Sequence, residues 1–162
     1  MAADRATVSI SASLLPDEIK TSISGTTVYD LDDFGDNNKW VYTLTNVGAT
    51  SEDLITTGTT YLGQGTSDEG ATGTTQGTDD VLFIFVKHSG TTNGSTTTTA
   101  NLHISTAAGT ASGTATGDVV LKPNECWFAR LSTDTKIEDI NGDSSSGVVQ
   151  AQVFAICDDG GV

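Results

Sequence analysis

Clustered carboxylates are the residues of this chain best suited to binding a hard cation such as Ca²⁺. Two clusters have close spacing: Asp30, Asp32, Asp33 and Asp36, and Asp139, Asn141 and Asp143. An EF-type loop needs an oxygen ligand where the first cluster has Phe34. It needs a glycine and a bidentate glutamate where the second cluster has Ser144 and Gln150. Both clusters therefore fail as EF-hands, and the sequence predicts solvated acidic turns without a metal.

Histidine is the next candidate metal ligand, and the chain contains His88 and His103. The two flank a predicted hairpin, so they could approach each other across neighbouring strands. Zinc requires three or four protein ligands, and the cysteines Cys126 and Cys157 lie elsewhere in the sequence. We therefore expect no metal and no cofactor, and we expect His88 at the surface or at a subunit interface.

The sequence lacks the motifs of the common catalytic sites. A serine nucleophile would need a base and an orienting acid, and no G-x-S-x-G elbow occurs in the sequence. Adjacent acids such as Glu52-Asp53 and Glu138-Asp139 point to opposite faces of a strand, whereas a glycosidase needs two carboxyl groups that face each other. No phosphate loop or dinucleotide fingerprint is present. We expect no catalytic residues and no enzyme.

The charge balance narrows the possible partners. The formal net charge is −14, with 7 Lys and Arg in total, and Lys87 is the sole lysine or arginine between Trp40 and Leu121. A stripe of cations for phosphate contacts is therefore absent, which argues against nucleic acid and anionic membranes as partners. The sequence shows no signal-peptide core and no run of membrane-spanning length, so we expect a protein folded in a cytoplasm.

The elements that must position these side chains are short strands. Residues 7–11 alternate between polar and apolar, and residues 39–46 place Trp40, Tyr42 and Leu44 on one face. Residues 81–88 begin with six consecutive apolar residues, which predicts a strand buried on both faces. Something must then cover its outer face, either a subunit partner or a folded-back loop.

Later strands are predicted over residues 101–105, 119–121, 126–131 and 148–157. Long links rich in Thr, Gly and Ser separate them, and no long amphipathic helix is indicated. The fold class is therefore all-β, an antiparallel β-sandwich of jelly-roll type, with an immunoglobulin-like sandwich as the alternative. We divide the chain into residues 1–12, an N-terminal strand or arm that a neighbour could share, residues 13–157, a single sandwich domain, and residues 158–162, a polar tail.

Three stretches together resemble the head decoration (cement) proteins of tailed phages, notably phages of marine bacteria and cyanobacteria: residues 81–88, 119–131 and 148–156. The resemblance covers residues 79–157 and includes a proline-containing turn before an aromatic strand. Asn124 stands in that turn where glycine would be commoner. The resemblance implies a small β-sandwich on the outside of a capsid, commonly a trimer that bridges copies of the major capsid protein, without catalytic residues.

We therefore expect a structural virion protein, located on the capsid exterior, that binds the major capsid protein and forms a homotrimer. The candidate interface residues are apolar or aromatic strand residues and one histidine: Val8, Ile10, Trp40, Phe83, Phe85, His88 and Trp127. The alternative is a virion or cell-surface module that binds polysaccharide through exposed aromatics such as Trp40, Tyr42, Tyr61 or Trp127. A hydrolase acting on sugars through an acidic pair is a third and weaker alternative.

Overall fold

A computed structural model of the chain describes residues 4–14, 21–31, 38–61, 73–107, 119–132 and 134–158. These residues form ten strands: β1 (Asp4–Leu14), β2 (Thr21–Leu31), β3 (Asn38–Val47), β4 (Glu52–Asp53), β5 (Asp80–His88), β6 (Leu102–Ser105), β7 (Val119–Leu121), β8 (Cys126–Arg130), β9 (Asn141–Ser144) and β10 (Val149–Asp158). A 3₁₀ turn at Ile137–Asp139 precedes β9. The described residues contain no α-helix, and so none that could cross a membrane.

Eight strands form two four-stranded antiparallel sheets. The order is β3-β10-β5-β8 in the first sheet and β4-β9-β6-β7 in the second. The first four of these strands in the chain pair with the last four in reverse order, as β3 with β10, β4 with β9, β5 with β8 and β6 with β7. The chain therefore runs as a long antiparallel double ribbon divided between two sheets, and the prediction of an all-β antiparallel fold is confirmed.

The main hydrophobic core draws its side chains from both sheets. Val41, Ile84 and Val153 come from the first sheet, and Leu102 and Ile104 come from the second; all five are fully buried. Alternate residues of β10 are buried in this core, as expected for a strand with one face directed inward. The two sheets thus enclose a shared core as a β-sandwich.

The N-terminal strands form a separate two-stranded sheet. β1 pairs with β2 over eleven residues, from Asp4 with Leu31 to Leu14 with Thr21. The predicted strand at residues 7–11 lies within β1, and the predicted boundary after residue 12 also falls inside this strand. The N-terminal arm is therefore a hairpin that extends to Leu31, because β1 finds its partner in the next segment of the same chain.

The structure corrects the predicted pairing around His88. β5 and β6 were expected to form a hairpin, but they belong to different sheets, so His88 and His103 do not face each other across neighbouring strands. The Asn93-Gly94 turn exists as a local feature, with Gly94 at φ 84° and a bridge between Thr91 and Thr97. After this turn the chain crosses to the opposite sheet, so the turn does not join neighbouring strands.

β9 was not predicted as a strand. Its sequence, Asn-Gly-Asp-Ser, lacks the apolar alternation of a strand, yet it pairs with β4 and β6. Gly142 is required there, because a Cβ atom at this position would lie 2.6 Å from the Cδ2 atom of Leu54. The Thr- and Gly-rich segments 62–72 and 108–118, expected to be long links, lie outside the described residues.

Candidate functional site

The outward-facing side of the first sheet carries an unusual set of side chains for a solvated surface. We call it the outer face and define it by fourteen outward positions that exclude the paired Asp80 and Asp158 at one end of the sheet: Trp40, Tyr42, Leu44, Asn46, Gln150, Gln152, Phe154, Ile156, Phe83, Phe85, Lys87, Cys126, Phe128 and Arg130. The outward assignment follows from strand alternation, since their neighbours along each strand point into the core.

One aromatic row crosses the whole outer face. Tyr42 pairs with Phe154, Phe154 with Phe85, and Phe85 with Phe128. Directly paired residues lie about 4.5–5.5 Å apart at their Cβ atoms, so the four aromatic residues occupy one row across the sheet. Each strand thus contributes one aromatic residue at the same level.

The neighbouring row is covered by the β1–β2 hairpin. Tyr29 of the hairpin packs on Phe83, with ring centroids 5.8 Å apart, and Phe83 contacts Phe154 at 6.5 Å. Trp40 lies 5.9 Å from Phe154 in the same cluster, and Val8 packs against this cluster from β1. The hairpin base therefore closes one end of the outer face and builds a second, smaller hydrophobic cluster there.

The rest of the outer face remains open in the chain. Tyr42 is 47% exposed, Leu44 is 53% exposed and Phe128 is 38% exposed. Phe85 and Phe154 between them are half-buried. Exposed apolar side chains on adjacent strands of one face form a patch, and such patches mark sites of protein or ligand contact.

The charge of the outer face differs from that of the chain as a whole. None of these fourteen residues is Asp or Glu, although the chain has 21 of these residues and a net charge of −14. Their charged members are Lys87 and Arg130, and the carboxylates of Asp80 and Asp158 lie together at one end of the same sheet. Away from that end, an aromatic surface without carboxylates on so acidic a protein matches the charge-depleted core of protein interfaces.

Most of the predicted interface residues lie near this surface. Val8, Trp40, Phe83 and Phe85 belong to the cluster between hairpin and outer face. Ile10 is 38% exposed farther along the hairpin. The structure thus brings together four predicted residues from three distant segments.

His88 and Trp127 are placed elsewhere. His88 is fully buried, and its Nε2 atom lies 2.9 Å from the carbonyl oxygen of Ala100. The backbone N–H of Gly90 donates to His88 Nδ1 at 2.9 Å. His88 is therefore an interior residue with both nitrogens paired, which corrects its expected surface position. Trp127 packs against the main core instead of the outer face.

Sequence reasoning missed Phe128 and Phe154 as surface residues and Tyr29 as the anchor of the hairpin. Their strands show the alternation that would assign them to one face, but not the partner strands that place them side by side. Of the proposed glycan-stacking residues, Tyr42 is exposed, Trp40 is half-buried and Tyr61 is buried.

The buried polar groups of the sandwich serve structure. The Tyr61 hydroxyl donates to Asp79 Oδ2 at 2.6 Å, and the backbone N–H of Gln76 donates to the same oxygen at 2.7 Å. Burial raises the pKa of the Cys157 thiol to about 12, with Asp79 adding to the effect. Burial likewise raises the pKa of Tyr61. Both groups therefore stay protonated near neutral pH, and the thiol is a poor nucleophile.

The acidic turns have structural contacts where the chain is described. Asp139 accepts a hydrogen bond from the backbone N–H of Lys136 at 2.9 Å, and Asp80 forms an ion pair with Lys136. Within the described ranges, no three His, Cys, Asp or Glu side chains are grouped so as to hold a metal ion. Asp32, Asp33 and Asp36 lie outside the described residues.

In comparisons with known proteins, no family model, no curated protein and no solved structure matches this chain.

Proposed function

We propose that this protein is a structural component of a phage virion, a decoration protein that attaches to the outside of the head and stabilises contacts between capsid subunits. The observation that carries the proposal is the open part of the outer face, an exposed aromatic surface without carboxylates on a strongly acidic protein. Surfaces of this composition serve association with other proteins. The resemblance of residues 79–157 to phage decoration proteins supplies the kind of assembly.

We also infer a jelly-roll topology and a trimeric state. The strand pairing supports the topology, because a double ribbon whose first four strands pair in reverse order with the last four forms two Greek keys when it divides into two sheets. The resemblance supports the trimer. Attachment through three linked copies would raise the avidity for a repetitive shell well above that of one copy.

The proposal is tested by adding the purified protein to heads that lack it and measuring co-sedimentation. We expect saturable binding, with a fixed number of copies bound per capsid subunit at saturation. Leu44→Asp should lower the occupancy at least tenfold, because a charge on the exposed part of the outer face disrupts association through this surface and with it the avidity of linked copies. Val120→Asp is the matched control, since Val120 is similarly exposed, at 46%, but lies in the second sheet.

Absence of binding at any concentration would refute the proposed attachment. Equal occupancy by Leu44→Asp and Val120→Asp would show that the outer face does not contribute to attachment, because the two substitutions place the charge on different sheets.

Polysaccharide binding is a second candidate function. It is favoured by the exposed ring of Tyr42 and by Gln152, which pairs with Leu44, two residues from Tyr42 on the same face. Aromatic faces stack on sugar rings and amides bond to their hydroxyl groups. A glycan array would show binding that Tyr42→Ala abolishes and Val120→Ala retains. An array without any signal would leave decoration as the function.

A further inference from the structure

We propose that the open part of the outer face binds the outer part of the β1–β2 hairpin of a neighbouring copy. Each copy contributes its hairpin to the next, so that copies join head to tail; we call this contact hairpin exchange. This inference deepens the proposed function by naming the partner of the outer face, and it rests on that function for its biological setting. The occupant is a second copy of this chain, and the contacting element is the apolar side of its hairpin.

The hairpin has one apolar side and one polar side. Val8 and Ile10 share a side with Tyr29, because Tyr29 is paired with Ala6, two residues before Val8. The opposite side carries Ser9 paired with Thr26, whose hydroxyl groups lie 3.4 Å apart. Near its base, the apolar side packs on its own sandwich through Val8 and Tyr29. At Ile10, two residues beyond Val8, the same side is 38% exposed.

The hairpin is not paired with either sheet of the sandwich. In the described part of the chain, β1 and β2 form a sheet of their own with two free edges. A two-stranded hairpin is marginally stable in water unless it packs against another surface. A second surface beside Ile10 would therefore stabilise the outer part of the hairpin.

The outer face offers that second surface with matching chemistry. Its covered row already binds the apolar side of a hairpin, as Tyr29 on Phe83 shows. The open row, with Tyr42 and Phe128 at its ends, is directly continuous with the covered row and has the same aromatic composition. The surface that accepts one hairpin base therefore continues, unoccupied, for the remaining length of the sheet.

The dimensions agree. From Ile10 to Leu14 the hairpin continues for about 13 Å, at roughly 3.4 Å per residue. From Tyr42 to Asn46 the open part of the outer face also spans about 13 Å by the same rise. Two paired strands cover about half the width of a four-stranded sheet, since neighbouring strands lie about 4.8 Å apart. The free part of the hairpin therefore fits the open part of the face.

Charge permits this contact. The hairpin residues from Ala6 to Leu14 and from Thr21 to Tyr29 carry no charge, so they bring no like charge to Lys87 on the open part of the outer face. Contact between hairpin and face is heterologous, because it joins two different surfaces. A heterologous contact closes into a ring when the rotation permits, which agrees with a trimer.

The test is the molar mass of the purified protein by size-exclusion chromatography with light scattering, without heads. We expect a closed oligomer for the wild type. Ile10→Asp should shift it to monomers, because it places a charge on the apolar side of the hairpin. Val28→Asp is the matched control on the polar side of the same hairpin, where Val28 is 52% exposed and pairs with Thr7, and it should remain oligomeric.

A mixture of two defective chains tests the head-to-tail contact itself. Ile10→Asp has an intact outer face, and Leu44→Asp has an intact hairpin. Each variant alone should be monomeric, and an equimolar mixture should form a one-to-one dimer that does not grow further. A misfolded variant could not give this result, so formation of the dimer also shows that both chains are folded.

The proposal is overturned by a monomeric wild type, by an Ile10→Asp protein that remains oligomeric, or by a mixture that stays monomeric. These outcomes are separate from head binding. A monomer that still saturates heads would refute hairpin exchange and leave the decoration function standing. An oligomer that shows the predicted pattern of variants but does not bind heads would support hairpin exchange and refute the decoration function.

Discussion

Replacing Tyr29 with alanine should release the β1–β2 hairpin while the sandwich stays folded. Among the hairpin side chains that the structure describes, the buried one is Tyr29, which is 7% exposed. Its ring packs on Phe83. Burial of an aromatic side chain removes about 150–250 Å² from water. At about 25 cal/mol per Å² this contributes roughly 4–6 kcal/mol, and the measured cost of truncating buried aromatic residues is about 3–5 kcal/mol.

The hairpin should respond to this loss as a unit, because an isolated two-stranded sheet is marginally stable. A loss of about 3 kcal/mol corresponds to roughly a hundredfold change in the opening equilibrium. Hydrogen exchange followed by mass spectrometry, at a concentration where the protein is monomeric, should therefore show the amides of β1 and β2 exchanging about a hundredfold faster. The amides of β5 and β10 should keep their protection.

Two variants serve as controls. Val28→Ala changes the adjacent residue on the opposite side of the hairpin and should leave exchange within about twofold, as is usual for exposed positions. Tyr29→Phe should dock at least as well as the wild type, because the Tyr29 hydroxyl is buried without a hydrogen-bond partner among the described residues. Unchanged exchange in Tyr29→Ala, or equal acceleration in Val28→Ala, would refute this account of hairpin docking.

Three further predictions concern the hydrogen bond between Tyr61 and Asp79 and the two cysteines. Tyr61→Phe should lower the free energy of unfolding, measured in urea, by about 1–3 kcal/mol, because Asp79 loses a buried donor. Tyr42→Phe, at an exposed position, should change it by less than about 0.5 kcal/mol. Equal stability of the two variants would contradict this prediction. Cys126 is exposed and Cys157 is buried, so Ellman's reagent should titrate one thiol in the folded protein and two after unfolding. Because the thiol of Cys157 ionises near 9.0 when unfolded and at about 12 when folded, stability should fall as the pH rises across this range. Cys157→Ala should flatten the fall, and an unaltered slope would count against it.

Local alternation was enough to predict most of the strands. The Trp40, Tyr42 and Leu44 side chains share a face, as expected. On β5, Ile84 and Val86 are buried on the inner side and Phe83 is buried on the outer side, whereas Phe85 on the outer side is half-buried. These predictions succeed because a strand has a period of two residues, so the type of each side chain reports the face it occupies.

β9 shows where this reasoning stops. Its polar residues carry no strand signal, and pairing with β4 and β6 makes it a strand because the neighbouring strands leave backbone groups to be satisfied. His88 shows the same limit for a single residue. Its type suggested a surface position, but the fold encloses it and pairs both of its nitrogens within the chain.

The outer face depends on both levels. Alternation along each strand already dictates that Tyr42, Phe85, Phe128 and Phe154 point away from the core. Their meeting in one row depends on the order and register of four strands that come from distant parts of the chain. The apolar side of the hairpin can likewise be predicted from residues 6–10, whereas the packing of the hairpin on Phe83 depends on the tertiary structure. Strand periodicity is local and can be read from residue types, but strand pairing joins remote segments whose backbone groups are chemically alike, and packing of the whole chain selects among those pairings.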